Sequence, residues 1–105
     1  MLFAVTLTYL RPAPQIQLQL DAHKQWLQRY IQAGTILVAG PLHAEVGGFI
    51  LAHAPETMQV RAMLAQDPFV IHRLVEVDIQ ACEPAIRAVE FPAAWAGAAK
   101  AVQPL

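Results

Sequence analysis

The pattern of apolar and polar positions divides the chain into alternating strand and helix segments. Residues 2–9, LFAVTLTY, are rich in β-forming side chains, apolar on both parities, and predict a strand covered on two sides. Arg11-Pro12-Ala13-Pro14 breaks it. Residues 15–33 carry Ile16, Leu20, Leu27, Tyr30 and Ile31 at helical spacing, and Gly34 is a natural helix stop. TILVAGPL, 35–42, predicts a buried strand ended by Gly40-Pro41. A Gly-rich turn at 43–48 leads into a third strand, GFILAHA, 48–54. Pro55 suits the first turn of a second helix that runs to about Ala65, with Val60, Met63 and Leu64 facing inward. LVEVDIQA, 74–81, alternates: Val75, Val77, Ile79 and Ala81 lie on one face, and Glu76, Asp78 and Gln80 on the other.

The order β-α-β-β-α-β is the ferredoxin-like α+β pattern. Right-handed crossovers place both helices on one face of a four-stranded antiparallel sheet and leave the other face bare. The first three strands are apolar on both parities, so the bare face is expected to be largely apolar and in need of cover. Two sheets stacked face to face would cover each other, which predicts a homodimer of the α/β-barrel kind. Residues 1–82 form this unit, and 83–105 are a C-terminal Ala-rich extension. Within the extension, AIRAVEF predicts a helical turn or two before Pro92. AAWAGAAKAV has high helix propensity offset by Gly97. Phe91 and Trp95 are expected to pack on this chain or on its partner.

Composition sharpens the picture. The 105 residues suit one domain, yet 56% are hydrophobic and only 14% charged, against a usual charged share of about 25%. That surplus of apolar residues again points to a second burial surface between subunits. No run of about 18 apolar residues occurs, so no membrane span is expected. The net charge of −1 and the lack of any Lys/Arg run argue against a nucleic-acid partner. The apolar N-terminus lacks a basic leader and a cleavage pattern, so it predicts a strand and not a signal peptide. The lone Cys82 has no internal disulfide partner, consistent with a cytoplasmic protein, and is expected to act as a small buried hydrophobe. No Cys/His spacing for zinc and no Gly-rich phosphate loop is present.

Candidate chemistry centres on one histidine. Ile16, Leu20, His23, Leu27 and Tyr30 step by four, three, four and three, which puts His23 in the middle of an apolar helix face. Burying an unpaired imidazolium is costly, so His23 must be neutral or partnered. It is either a structural histidine satisfied by a backbone carbonyl, or an acid/base group facing a cavity. Asp67 lies at the corner "AQDPFVIH", 65–72, just past the second helix, which runs beside the first. An Asp before Pro commonly caps a turn. Placed against the imidazole, it would instead fix the tautomer and free the other ring nitrogen for chemistry. His72 and Tyr30 are further candidates for the pocket wall. His43 falls in a turn and is expected to be solvated, and His53 ends the third strand at the rim. Glu76 and Asp78 share a face of the fourth strand: they line the cavity if that face points into the dimer, and protect an edge from aggregation if it is solvated, the preferred reading.

The first strand with its Arg-Pro break, the helix bearing His23, "LVAGPL" at 37–42, "GGFIL" at 47–51 and above all "DPFV" at 67–70 leading into "LVEVDI" resemble the YCII-related (YciI-like) family of the dimeric α/β-barrel superfamily. The resemblance spans about residues 1–82. It implies a pairing of His23 with Asp67 in an active site walled by Phe69, no cofactor, and a homodimer or larger assembly acting on a small molecule. Activities in this group, dehydrochlorination of a chlorinated hydroxyhydroquinone and muconolactone isomerisation, imply a lyase or isomerase for a small cyclic or aromatic compound. His23 would be the acid/base and Asp67 its orienter. The alternative is a non-catalytic ligand-binding or interaction module of the same fold. A third possibility is a cofactor-free monooxygenase using a pocket aromatic such as Trp26, although Trp26 lies off the main stripe. Many members have Arg three residues before the histidine, where this chain has Leu20. Nearby Lys24 and Arg29 are expected to face outward.

Overall fold

The computed structural model describes residues 1–105. Its first strand, β1 (Leu2–Tyr9), is followed by the long helix α1 (Ala13–Gln32), then by β2 (Ile36–Pro41) and β3 (Gly47–His53). Two short helices, α2 (Thr57–Leu64) and α3 (Pro68–Ile71), lead into β4 (Val75–Cys82). The strands form a four-stranded antiparallel sheet in the order β2-β3-β1-β4, the ferredoxin-like arrangement. Each of the predicted strands and the two predicted helices is present, with ends displaced by one or two residues.

Register explains the core. Phe3 lies opposite Ala52 and Ala81, Val5 opposite Ile50 and Ile79, and Leu7 opposite Gly48 and Val77. These positions share one sheet face, where Phe3, Val5 and Leu7 are buried in a single cluster with Trp26 of α1 and Val60 of α2. Each large apolar side chain so buried contributes roughly 1.5–3 kcal/mol. The clean alternation of β4 follows from the same register, since its Val75, Val77 and Ile79 face the helices and its polar residues face away.

Helix α1 ends as the sequence predicts. Gly34 takes a left-handed φ of 84°. Its N–H donates to Ile31 O at 3.0 Å, and the Thr35 N–H donates to Tyr30 O at 3.0 Å, the paired bonds of a Schellman stop. Ile31, expected inward, is exposed in this last turn, where the chain turns away from the core. The start of α2 differs slightly from expectation. Pro55 precedes the helix, Glu56 is its cap residue, and Gln59 Oε1 accepts from the Glu56 N–H at 2.8 Å.

The helix-free face is less apolar than the strand patterns imply. Leu2, Ala4, Val38, Phe49 and Leu51 fall on it, but so do Thr6, Thr8, Glu76, Asp78 and Gln80. The apolar half sits over β2, β3 and the start of β1, while the polar half follows β4, an outer strand of the sheet. Cys82 also belongs to this face and is exposed rather than buried, because β4 has no neighbour on its outer side.

The C-terminal extension departs most from expectation. Residues Ile86–Ala88 form a strand, β5, paired in parallel with β6 (Lys100–Val102), where helical turns were predicted. Inter-strand pairing outweighs the weak local propensity of these short segments. The Arg87 guanidinium donates to the carbonyls of Ala88, Val89 and Phe91, which curls the chain after β5. Residues Ala93–Trp95 make one 3-10 turn, and Gly97, with φ of 56°, reverses the chain after it. Trp95 packs beside Phe91 and reaches His53, so the extension docks on its own chain.

Candidate active site

Helices α1 and α3 bring the two residues of interest together. His23 is 9% exposed and Asp67 is fully buried. The His23 Nδ1 lies 2.7 Å from Asp67 Oδ1 across 44 residues of sequence. A carboxylate accepts and cannot donate, so Nδ1–H donates to it. In the neutral ring Nε2 is then the bare nitrogen.

Asp67 also caps α3. The same Oδ1 accepts from the Phe69 N–H at 3.0 Å, and Pro68 occupies the first helical position, where its missing N–H costs nothing. The turn-capping role and the histidine-orienting role are therefore not rivals, because one oxygen performs both. The other oxygen, Oδ2, is buried without a partner. The ring of His23 is held flat as well. It stacks on Phe69 at 3.9 Å between centroids with planes 6° apart, and on Trp26 at 5.7 Å and 26°. Imidazole rotation is thus blocked by a hydrogen bond at one edge and by aromatic contacts.

His23 opens onto a cavity of about 250 Å³, between α1 and the ends of β1, β2 and β3. Phe69 lines it, as do Leu20 and Leu27 from α1 and Phe49 and Ile50 from β3. Tyr9, at the end of β1, meets Phe69 edge-on at 6.1 Å and also lines the cavity. The wall behind β1 depends on Gly47, since a Cβ there would run into the Leu7 carbonyl. This is what the Gly-rich turn supplies: close approach of β3 to β1 beside the cavity.

Other candidates lie elsewhere. Tyr30 does not reach this cavity; its hydroxyl donates to Gln66 Oε1 at 2.8 Å, and it borders a separate opening near His53. His72 is exposed just beyond α3 and lines no part of the site, because the one-turn helix carries it past the corner. His43 is exposed in its turn. Trp26 is not a pocket aromatic. It is 2% exposed, and its indole N–H donates to the Met63 carbonyl at 3.0 Å. The buried face of α1 is broader than a single stripe because α1 packs on both the sheet and α2. The monooxygenase possibility loses its aromatic group accordingly.

Tyr9 and Lys24 are among the lining residues that the sequence does not mark out. In the sequence Tyr9 is only the last residue of a strand. Lys24 was expected to face outward, yet it lines the rim beside Leu20, His23 and Leu27. Positions 20, 23, 24 and 27 share one helix face by the three- and four-residue rule, so the signal was present in the spacing. No group of three or more His, Cys, Asp or Glu side chains is positioned to hold a metal ion. No helix is long and apolar enough to cross a membrane.

Comparisons with known proteins agree with this architecture. No curated protein matches the chain. Among solved structures, it is similar to the 5-chloro-2-hydroxyhydroquinone dehydrochlorinase of Burkholderia phenoliruptrix AC1100, determined in complex with 2,5-dihydroxybenzoquinone. The identity is 22%, the TM-score is 0.66, and the match covers 81% of this chain and 96% of that one. At this identity the likeness establishes the fold. Residues 1–79 match the YCII-related domain, and with three-quarters of its length so matched, the chain belongs to the YCII-related family.

Proposed function

We propose that this protein is a lyase- or isomerase-type enzyme that moves a proton on a small cyclic or aromatic compound. The observation that carries this reading is the 2.7 Å bond from His23 to a fully buried carboxylate, at the wall of an apolar cavity. Nδ1 is occupied by Asp67, and Nε2 has no partner within the protein. Nε2 would take a proton from a ring C–H or O–H. The electron pair left behind forms the new double bond, and a leaving group departs with its own bonding pair. In an isomerisation Nε2 would instead return the proton at another carbon. Asp67 stabilises the imidazolium formed in either case and keeps the ring aimed. The dehydrochlorinase of similar fold acts on a hydroquinone, which supports a substrate of this size and kind.

The working unit is proposed to be a homodimer. The apolar half of the helix-free face, with Val38 54% exposed beside Phe49 and Leu51, would be covered by the same face of a second copy. Sedimentation at micromolar concentration should show a dimer. A stable folded monomer would remove this part of the reading.

The test of the chemistry uses 5-chloro-2-hydroxyhydroquinone and follows chloride release. Wild type should turn over, and His23→Gln should lower kcat about 10²–10⁴-fold, the usual contribution of one acid/base group. Asp67→Asn should lower it less. A wild type that binds the compound without releasing chloride would instead be a ligand-binding module, and an active His23→Gln variant would assign the chemistry elsewhere.

A further inference from the structure

We infer that Lys24 selects the ligand's charge, so that this pocket favours a small planar ring carrying an anionic oxygen, such as a phenolate, an enolate or a carboxylate. The inference rests on the assignment of the His23 cavity as the ligand site and adds to it the class of compound admitted.

Three observations lead there. First, eight of the fourteen lining residues are hydrophobic, and none is a carboxylate. The only permanently charged side chain among them is Lys24, and the only other one able to carry positive charge is His23. The Asp67 carboxylate sits behind the imidazole, fully buried, and does not line the cavity. Second, Lys24 is free to serve a ligand. The only ion pair in the chain is His23 with Asp67, and neither Asp21 nor any other acid lies within ion-pair distance of the Lys24 ammonium. Third, Leu20 and Leu27 flank Lys24 along the same helix face. Their apolar surface lowers the local dielectric, and an ion pair formed beside them is stronger than one in open water. The volume of about 250 Å³ lies below the roughly 300 Å³ at which pockets for drug-sized ligands begin, which limits the occupant to about one ring.

The ammonium and Nε2 then act on opposite ends of one ligand. Lys24 holds an oxygen that is already anionic at the rim, while the bare nitrogen of His23 meets the ring further in. Lys24 is a positioning residue in this arrangement and transfers no proton.

The test compares an anionic with a neutral ring in the full-length protein. 2,5-Dihydroxybenzoquinone is a vinylogous acid and is anionic at neutral pH. Hydroquinone, with phenols resembling tyrosine at about 10, stays neutral. Calorimetry at low salt should show that Lys24→Gln weakens dihydroxybenzoquinone binding about fivefold, the upper end for one exposed charge pair. Lys24→Arg should lose less than about half of that effect, since the charge is kept. Hydroquinone affinity should be the same in all three proteins. In about 1 M salt, where the screening length falls to about 3 Å, the difference between wild type and Lys24→Gln should vanish for dihydroxybenzoquinone. Unchanged dihydroxybenzoquinone binding in Lys24→Gln, or an equal loss for both ligands, would overturn the inference while leaving the His23 chemistry standing. Failure of both ligands to bind wild type would overturn the site and this inference together. Because binding is read without turnover, an inactive but charge-selective protein would support the inference and count against the proposed reaction alone.

Discussion

The molecule holds two histidines in aromatic surroundings, and they differ in one respect that decides what each can do. His23, in the middle of α1, gives its Nδ1–H to the buried carboxylate of Asp67. His53, at the end of β3, gives its Nε2–H to the backbone carbonyl of Gly34 at 2.8 Å. Both rings touch aromatic neighbours, Phe69 and Trp26 in the first case and Trp95 in the second. A carbonyl carries a dipole, satisfies one N–H and locks a turn. A carboxylate carries a full charge, so it stabilises the imidazolium that proton transfer creates. The larger of the two neighbouring cavities, about 700 Å³ beside His53, is also the more open and the less equipped, since Tyr30, Gln59 and Gln66 on its wall are bonded to one another or to backbone. Cavity size alone would select the wrong histidine.

The largest expected effect separates the two partners. Asp67→Ala removes the cap of α3, worth about 1 kcal/mol. It also leaves the buried His23 N–H without an acceptor, at about 1–3 kcal/mol. A total near 3 kcal/mol is expected in chemical denaturation. Asp67→Asn keeps an oxygen for both bonds and should cost about 1 kcal/mol. Proton NMR sharpens this. A slowly exchanging, downfield His23 ring N–H should be visible in wild type and absent from Asp67→Ala. Equal stability of the two variants would show that neither the cap nor the His23 bond accounts for Asp67, since Asn keeps an oxygen for both and Ala keeps none.

The contrast also marks where sequence was informative. Alternation along β4 and the Gly34 stop gave the elements, because a period of two and a left-handed glycine are local properties. His23 and Asp67 could each be singled out, one by its place on an apolar stripe and the other by its Asp-Pro corner. What joins them, the one-turn helix α3, is set by Asp67 itself once the chain has folded. Trp26 lies off the stripe yet is buried, because a stripe describes one packing partner and α1 has two. The charge of Lys24 suggests solvent, but a lysine can rim a pocket and keep its ammonium in water. Cys82 and the β5–β6 pair depend on neighbours remote in sequence: an absent one beside β4, and β6 twelve residues beyond β5.

The smallest expected effect tests the other histidine. His53→Ala removes one bond to Gly34 O and the contact with Trp95. A half-buried bond to a neutral carbonyl contributes about 0.5–1.5 kcal/mol net, and water can replace the lost donor at a site this open. Destabilisation near 1 kcal/mol is therefore expected, about a third of that for Asp67→Ala. The lesion should stay local. Gly34 keeps its place through the Ile31 and Tyr30 bonds of the helix stop, and the His23 cavity shares no lining residue with the opening beside His53. Dihydroxybenzoquinone affinity and the His23 ring proton should match wild type. A drop in either would mean that the end of β3 communicates with the cavity along the strand that carries both His53 and Phe49, and that the two histidines belong to one system.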